Sequence, residues 1–246
     1  MPARLAAALL LPGSGPTDRN GDEPAQNFDP QTLKLIAGVL GRQGIMTLRF
    51  DKYFTGQTGG GAYADDPGRI DIAAFIRQAD AAYDVLRDQP EADARAMLIV
   101  GHSEGGMTAM LIGESVRPRP VGLALLEPQD LRLLDLVRIQ LDEALSAALA
   151  AGQITAATAA RNEAGIDRVI REFRAGQPVS TSGLLPSIAE QFTDVFFSLG
   201  NQRYVRGDDA IYPPAVATRL PHILAPAAVA ALQAFARPWA QGALSA

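Results

Sequence analysis

The sequence predicts an α/β fold. The sheet is mostly parallel, of reduced strand number, flanked by helices and interrupted by a helical cap inserted after the fourth strand. Three observations lead there. Short apolar runs ending in Gly or Pro alternate with stretches of helical periodicity over the first half of the chain. One of these runs leads straight into Gly101-His102-Ser103-Glu104-Gly105-Gly106. From residue 131 the alternation gives way to long Ala-, Leu- and Arg-rich stretches.

Residues 6–11 form a continuous apolar run closed by Pro12 and Gly13, the pattern of a strand buried on both faces. The opening Met1-Pro2-Ala3-Arg4 and the run after it resemble a short signal peptide, but no small-x-small cleavage site follows, so a strand entering a functional loop is the better reading. Residues 30–41 place Leu33, Ile36, Ala37 and Leu40 at helical spacing, and residues 45–50 read as the second strand. Residues 70–87 carry Ile72, Phe75, Ile76, Ala79, Tyr83 and Leu86 along one stripe, an amphipathic helix. Residues 96–100 are the third strand, 107–116 a helix and 121–126 the fourth strand. Strands alternating with helices imply parallel pairing through right-handed crossovers.

Residues 131–175 are helix-forming, with Gly152 and Gly165 as breaks. A Pro/Ser/Gly linker spans 177–186, and 187–199 is another helix. The organisation expected is a core over 1–128 that holds the functional loops, a helical cap over 129–200, and a C-terminal part of the core over 201–246, truncated or divergent. The sheet should have four to six strands and an exposed edge, open to a second copy of the chain in a homo-oligomer.

Composition narrows the chemistry. Lys and Arg total 22 against 27 Asp and Glu, a net charge of −5 that disfavours nucleic acid, whose phosphates need a basic stripe. No cysteine is present, which removes thiolate nucleophiles and Cys-held zinc. No run reaches the ~18 apolar residues of a membrane span. No metal site and no cofactor is implied. The location taken with this reading is cytoplasmic, although no residue pattern names a compartment. Only two histidines occur, His102 and His222, so histidine chemistry has two candidates.

Gly101, Ser103 and Gly105 form G-x-S-x-G between a strand and a helix. A nucleophile on a tight strand-to-helix turn needs small residues two before and two after it, because the backbone crowds there. The helix N-terminus that follows favours developing negative charge, and the Glu104 amide is one oxyanion donor. The second donor is expected from the loop after the first strand, at the Ser14 amide. That loop is no phosphate cradle: no Lys follows it, and Asp18 stands where a dinucleotide motif needs its third Gly.

The loop LLLPGSGPTDRNG, the segment LRFDK and the elbow GHSEGG together resemble the α/β-hydrolase superfamily, in particular its serine aminopeptidase-like and small-esterase branch, over about residues 5–127. Members of this branch often carry R-x-D-x-R-G after the second of these strands, whereas here Asp51-Lys52 is followed by Tyr53-Phe54. Asp51 reads as a loop anchor paired with Arg19. The resemblance implies a triad in the order Ser, acid, His, with a His before the last helix. By elimination that is His222, since His102 occupies the elbow itself. The segment 207–214 resembles the family's acid loop, with Asp209 fitting better than Asp208. Yet only 13 residues lead from Asp209 to His222, where the family fits a helix and a strand. A competing alignment makes 201–220 the end of the cap, leaves the last two strands missing, and turns to Glu127 as an alternative acid.

The function expected is a serine carboxylesterase without cofactor, acting on small-molecule esters. Catalysis is assigned to Ser103, His222 and Asp209, with Ser14 and Glu104 holding the oxyanion. Leu184, Leu185, Ile188, Phe192, Phe196 and Phe197 suggest short to medium acyl chains. A non-catalytic binding homologue and an amidase or peptidase of the same fold are the alternatives.

Overall fold

In the computed structural model, residues 4–220 are described. Four strands form one wholly parallel sheet: β1 (Leu5–Leu11), β2 (Met46–Leu48), β3 (Ala92–His102) and β4 (Gly122–Leu126), in the order β2-β1-β3-β4. The mixed α/β class, the parallel sheet and the flanking helices agree with the sequence. β3 is longer than the apolar run 96–100 suggested, and β2 is shorter than 45–50.

Central strand β1 explains the layering. Its residues alternate between two apolar faces. Ala7, Leu9 and Leu11 pack with Ala79, Tyr83 and Leu86 of helix α2 (Ile72–Arg87) and with Ala109 and Ile112 of α3 (Glu104–Ser115). Ala8 and Leu10 face the other way, onto Leu33 of α1 (Thr32–Arg42). A strand apolar on both faces must be covered on both, and this one is. The chain therefore leaves β1 toward one face of the sheet and leaves β3 toward the other. Such a reversal opens a crevice at the carboxyl ends of the two central strands. The loops after β1 and β3 meet there.

Residues 133–209 build a second apolar cluster. Its helices are α4 (Leu133–Ala150), α5 (Ala156–Arg174), α6 (Pro186–Glu190) and α7 (Gln202–Asp209), with a π-helical turn at Gln191–Phe196. Leu134, Ile166, Val169, Phe192 and Val205 are fully buried in it, and Phe173 stacks on Phe197 with ring centroids 4.1 Å apart. The last element, α8 (Pro213–Ala217), returns to the sheet layer, where Val216 packs with Met107, Met110 and Ile72.

Two expectations need correction. Residues 187–199 are a short α-helix that widens into a π-helical turn, and residues 202–217 are two helices with no strand between them. The supposed acid loop is the last turn of α7. A helix forms there because Val205 fills the helical cluster and Asp209 is held from two sides. Arg174 donates to Asp209 through Nε and Nη2, both at 2.8 Å, and the Leu134 amide donates to Oδ1 at 2.9 Å. Asp209 thus ties α5 to α7 and caps α4, whose own N-cap residue, Arg132, offers no side-chain acceptor. Three donors already occupy its carboxylate.

Asp209→Asn should lower the unfolding free energy by about 1–3 kcal/mol, because it leaves Arg174 half-paired and weakens the α4 cap. Urea denaturation followed by circular dichroism measures this. An unchanged midpoint would remove the anchoring role.

Candidate active site

Ser103 lies between β3 and α3 with φ 54° and ψ −121°, in the left-handed half of backbone space. A non-glycine residue held there costs of order 1–3 kcal/mol and persists only where its surroundings enforce it. Three backbone bonds do so: the Ser103 amide donates to Leu126 O at 3.0 Å, and its carbonyl accepts from the amides of Gly106 at 2.8 Å and Gln129 at 3.0 Å. The glycines on either side are required by space. A Cβ on Gly101 would collide with the carbonyl of Gly105, and one on Gly105 with the carbonyls of Leu11 and Pro12. The turn can close only where β3, α3 and the end of β1 nearly touch. Ser103 makes no capping bond to α3, and it lines a cavity of about 500 Å³.

The loop after β1 lies against the elbow. A Cβ on Gly13 would stand 3.4 Å from Ser103 Cβ and 3.3 Å from Nδ1 of His102. Thr17 folds the loop back, donating from Oγ1 to Ser14 O at 2.9 Å and from its amide to Gly15 O at 2.9 Å. Ser14, Gly15 and Pro16 line the cavity beside Ser103. Among the described residues, the amides of Ser14 and Glu104 donate to no backbone carbonyl. The loop is secured from below by Asp51, which accepts from Arg19 N at 2.8 Å, Arg19 Nε at 3.0 Å, Arg19 Nη2 at 2.5 Å and the Gln57 amide at 2.8 Å. These donors hold the Asp51 carboxyl well below the usual carboxylate range. The pairing of Asp51 with Arg19 expected from the sequence is present.

A buried polar chain runs under the elbow. Lys52 Nζ donates to Glu104 Oε1 and to Gly13 O, each at 3.1 Å, and sits 5.0 Å from the centre of the Phe75 ring. Glu104 Oε2 accepts from the hydroxyl of Tyr204. Tyr204 Oη lies 3.2 Å from Asp208 Oδ2, and Asp208 Oδ1 accepts from Gln129 Nε2 at 3.0 Å. The chain links the first loop, the elbow and α7. Its single phenolic hydrogen cannot satisfy two ionised carboxylates. Glu104 is ion-paired with Lys52, whereas Asp208 meets no cation among the described residues, so the extra proton belongs on Asp208. Burial and the Glu104 charge push the Asp208 carboxyl up to about 7, and burial raises the Tyr204 hydroxyl well above its ordinary range.

The cavity brings together Ser103 and Ser14 of the residues singled out in the sequence. Glu104 contributes its amide at the start of α3, while its side chain points to Lys52. Asp209 is bound to Arg174, and Asp208 to Gln129 and Tyr204. Glu127 is exposed just past β4, at φ 46°. His102 packs on Gly13 and is not among the cavity-lining residues. His222 lies outside the described residues. Of the six residues expected to form an acyl pocket, Phe196 lines the cavity, whereas Ile188 and Phe192 are interior to the helical cluster. The apolar wall comes instead from Leu133, Leu136, Val137, Val195 and Val205. Sequence reasoning missed Lys52, Gln129 and Tyr204. One signal was available: a carboxylate at Glu104 inside an otherwise small and apolar stretch needs a buried cation.

Among the described residues, no cluster of His, Cys, Asp or Glu is placed to hold a metal ion, and no helix is long and apolar enough to cross a membrane. No family profile and no curated protein matches the chain. Solved structures do match in part. Alpha/beta hydrolase GrgF from Penicillium sp. sh18 is 16% identical with a TM-score of 0.43, covering 73% of this chain and 61% of its own. A hypothetical protein from Pseudomonas aeruginosa, PA2218, is 17% identical with a TM-score of 0.44, covering 89% of this chain and 63% of its own. The chain thus spans less than two thirds of the length of either structure.

The Asp208 proton sets a pH dependence. Its carboxyl is raised from 3.8 to about 7 by folding, so its contribution is most favourable at low pH and is lost as pH rises through that window. Asp208→Asn keeps the hydrogen-bonding shape without the titration. Between pH 5 and pH 8 the variant should gain about 2–3 kcal/mol of stability relative to wild type. Parallel denaturation curves at the two pH values read the difference; equal shifts in both proteins would show that Asp208 is ionised throughout.

Proposed function

We propose that this chain is a serine hydrolase of the α/β-hydrolase type that cleaves carboxylic esters through an acyl-enzyme on Ser103. The observation that carries the reading is the strained Ser103 turn, at the crevice where the strand order reverses, opening into an apolar-walled cavity. Such strain is retained at functional sites, and the α3 N-terminus beneath it favours a developing oxyanion.

In this mechanism Ser103 Oγ bonds to the acyl carbon while its proton passes to His222, the general base. We assign His222 because His102 rests on Gly13, off the cavity. The carbonyl oxygen gains charge and is held by the Ser14 and Glu104 amides, whose donors are otherwise unused by the backbone. The proton is delivered to the leaving alcohol, and water then releases the acid. Leu133, Leu136, Val137, Val195 and Phe196 support acyl chains of short to medium length. The helical block over 133–209 acts as the cap.

A binding protein on the same fold is the second reading. It is favoured by one observation: among the described residues, neither a histidine nor any of Asp208, Asp209 and Glu127 lines the cavity beside Ser103. A fluorophosphonate probe separates the two. The hydrolase reading predicts stoichiometric labelling of Ser103, none in Ser103→Ala, and a loss of p-nitrophenyl butyrate turnover of roughly 10³-fold or more in that variant. A folded wild type that takes no label and turns over no ester would favour the binding protein; undiminished turnover in Ser103→Ala would remove Ser103 as the nucleophile.

A further inference from the structure

Among the described residues, two charged side chains line the cavity, one paired and one not. Lys52 is buried and spends its charge on Glu104 and the Gly13 carbonyl. Glu23 makes no side-chain hydrogen bond or ion pair among the described residues. It precedes the short helical turn Pro24–Gln26, where a carboxylate would ordinarily accept from a free amide, yet it makes no such cap. Its carboxyl lies instead over Gly15, with both oxygens within 3.3 Å of where a Gly15 Cβ would stand. Gly15, at φ +84°, belongs to the loop that flanks Ser103. A side chain at that position would displace the carboxylate.

The backbone of Glu23 is fixed. It pairs with Phe28 in an antiparallel bridge, its amide donating to Phe28 O at 2.7 Å. The carboxylate is therefore presented by a braced loop and is half-buried. Around the same cavity stand the rings of Tyr53, Phe54, Phe75 and Tyr204. Aromatic faces attract cations, and Phe75 already faces the ammonium of Lys52. The cavity thus pairs a carboxylate that has no partner among the described residues with aromatic walls, on a protein whose net charge of −5 draws cations toward it.

We propose that Glu23 is an anionic subsite, selecting substrates that carry an ammonium group near the scissile carbonyl. The substrate class is esters of amino or quaternary-ammonium compounds, in preference to neutral or anionic esters. The proposal rests on the hydrolase reading for its substrate, but the subsite itself is a matter of binding.

The test is therefore a binding measurement on Ser103→Ala protein, which cannot turn ligand over. Choline and its neutral carbon isostere, dimethylbutanol, are titrated by calorimetry. Choline should bind about 10-fold tighter or more, and the advantage should vanish in the Ser103→Ala, Glu23→Gln double variant. It should also shrink as salt is raised. Equal binding of the two ligands, or an advantage that survives Glu23→Gln, would overturn the proposal. Should the double variant fail to fold, Ser103→Ala with Glu23→Asp, which keeps the charge but draws it back, takes its place and should bind choline less tightly than Ser103→Ala; an unchanged affinity would overturn the proposal. A choline advantage that depends on Glu23, together with a wild type that hydrolyses no ester, would leave the subsite standing and remove only the hydrolase reading.

Discussion

Close approach of three backbone segments at the elbow is the constraint on which the rest depends. β3 must end, turn through Ser103 and start α3 within the space left by the end of β1. Glycine at 101 and 105 is the geometric condition for that, because any Cβ there meets a carbonyl of the opposing segment. The consequence runs outward. The Ser103 carbonyl, turned by the positive φ, captures the Gln129 amide and so fixes the start of the segment that leads into α4. Gly106 is pressed against Pro128 in the same way. The entry to the helical block is set by the elbow rather than by its own sequence.

Charge reinforces what packing begins. Glu104 belongs to the elbow, Lys52 to the loop after β2, and Tyr204 and Asp208 to α7, so one buried chain joins three parts of the molecule. Breaking a buried pair is far more destabilising than its net contribution to folding, so the chain acts chiefly to specify one arrangement. The arrangement it specifies puts the cavity between Ser103 and the helical block. Asp51 does the same for the first loop, through four donors from Arg19 and Gln57.

The sheet and the elbow were legible because their signals are local. Residues 6–11 and 96–100 are apolar runs cut off by Pro or Gly, and the G-x-S-x-G spacing lies within one turn. The start of α3 was misplaced by three residues, since Gly105 and Gly106 read as loop although space demands them in the helix. The acid loop was misread for a related reason. Two Asp followed by a pair of Pro is the same text whether it follows a strand or ends a helix. What makes it a helix is Val205 in a distant cluster and Arg174, 35 residues away from Asp209. The Lys52–Glu104 and Glu104–Tyr204 contacts span 52 and 100 residues, and no local pattern announces them.

In the proposed hydrolase, Ser103 Oγ and the amides of Ser14 and Glu104 act on one acyl group. A crystal structure of the Ser103 adduct with a phosphonate tests it most directly. The account predicts a covalent bond at Ser103 Oγ and a phosphoryl oxygen about 2.7–3.1 Å from the amides of both Ser14 and Glu104. An adduct on another residue, or a phosphoryl oxygen turned away from both amides, would contradict it.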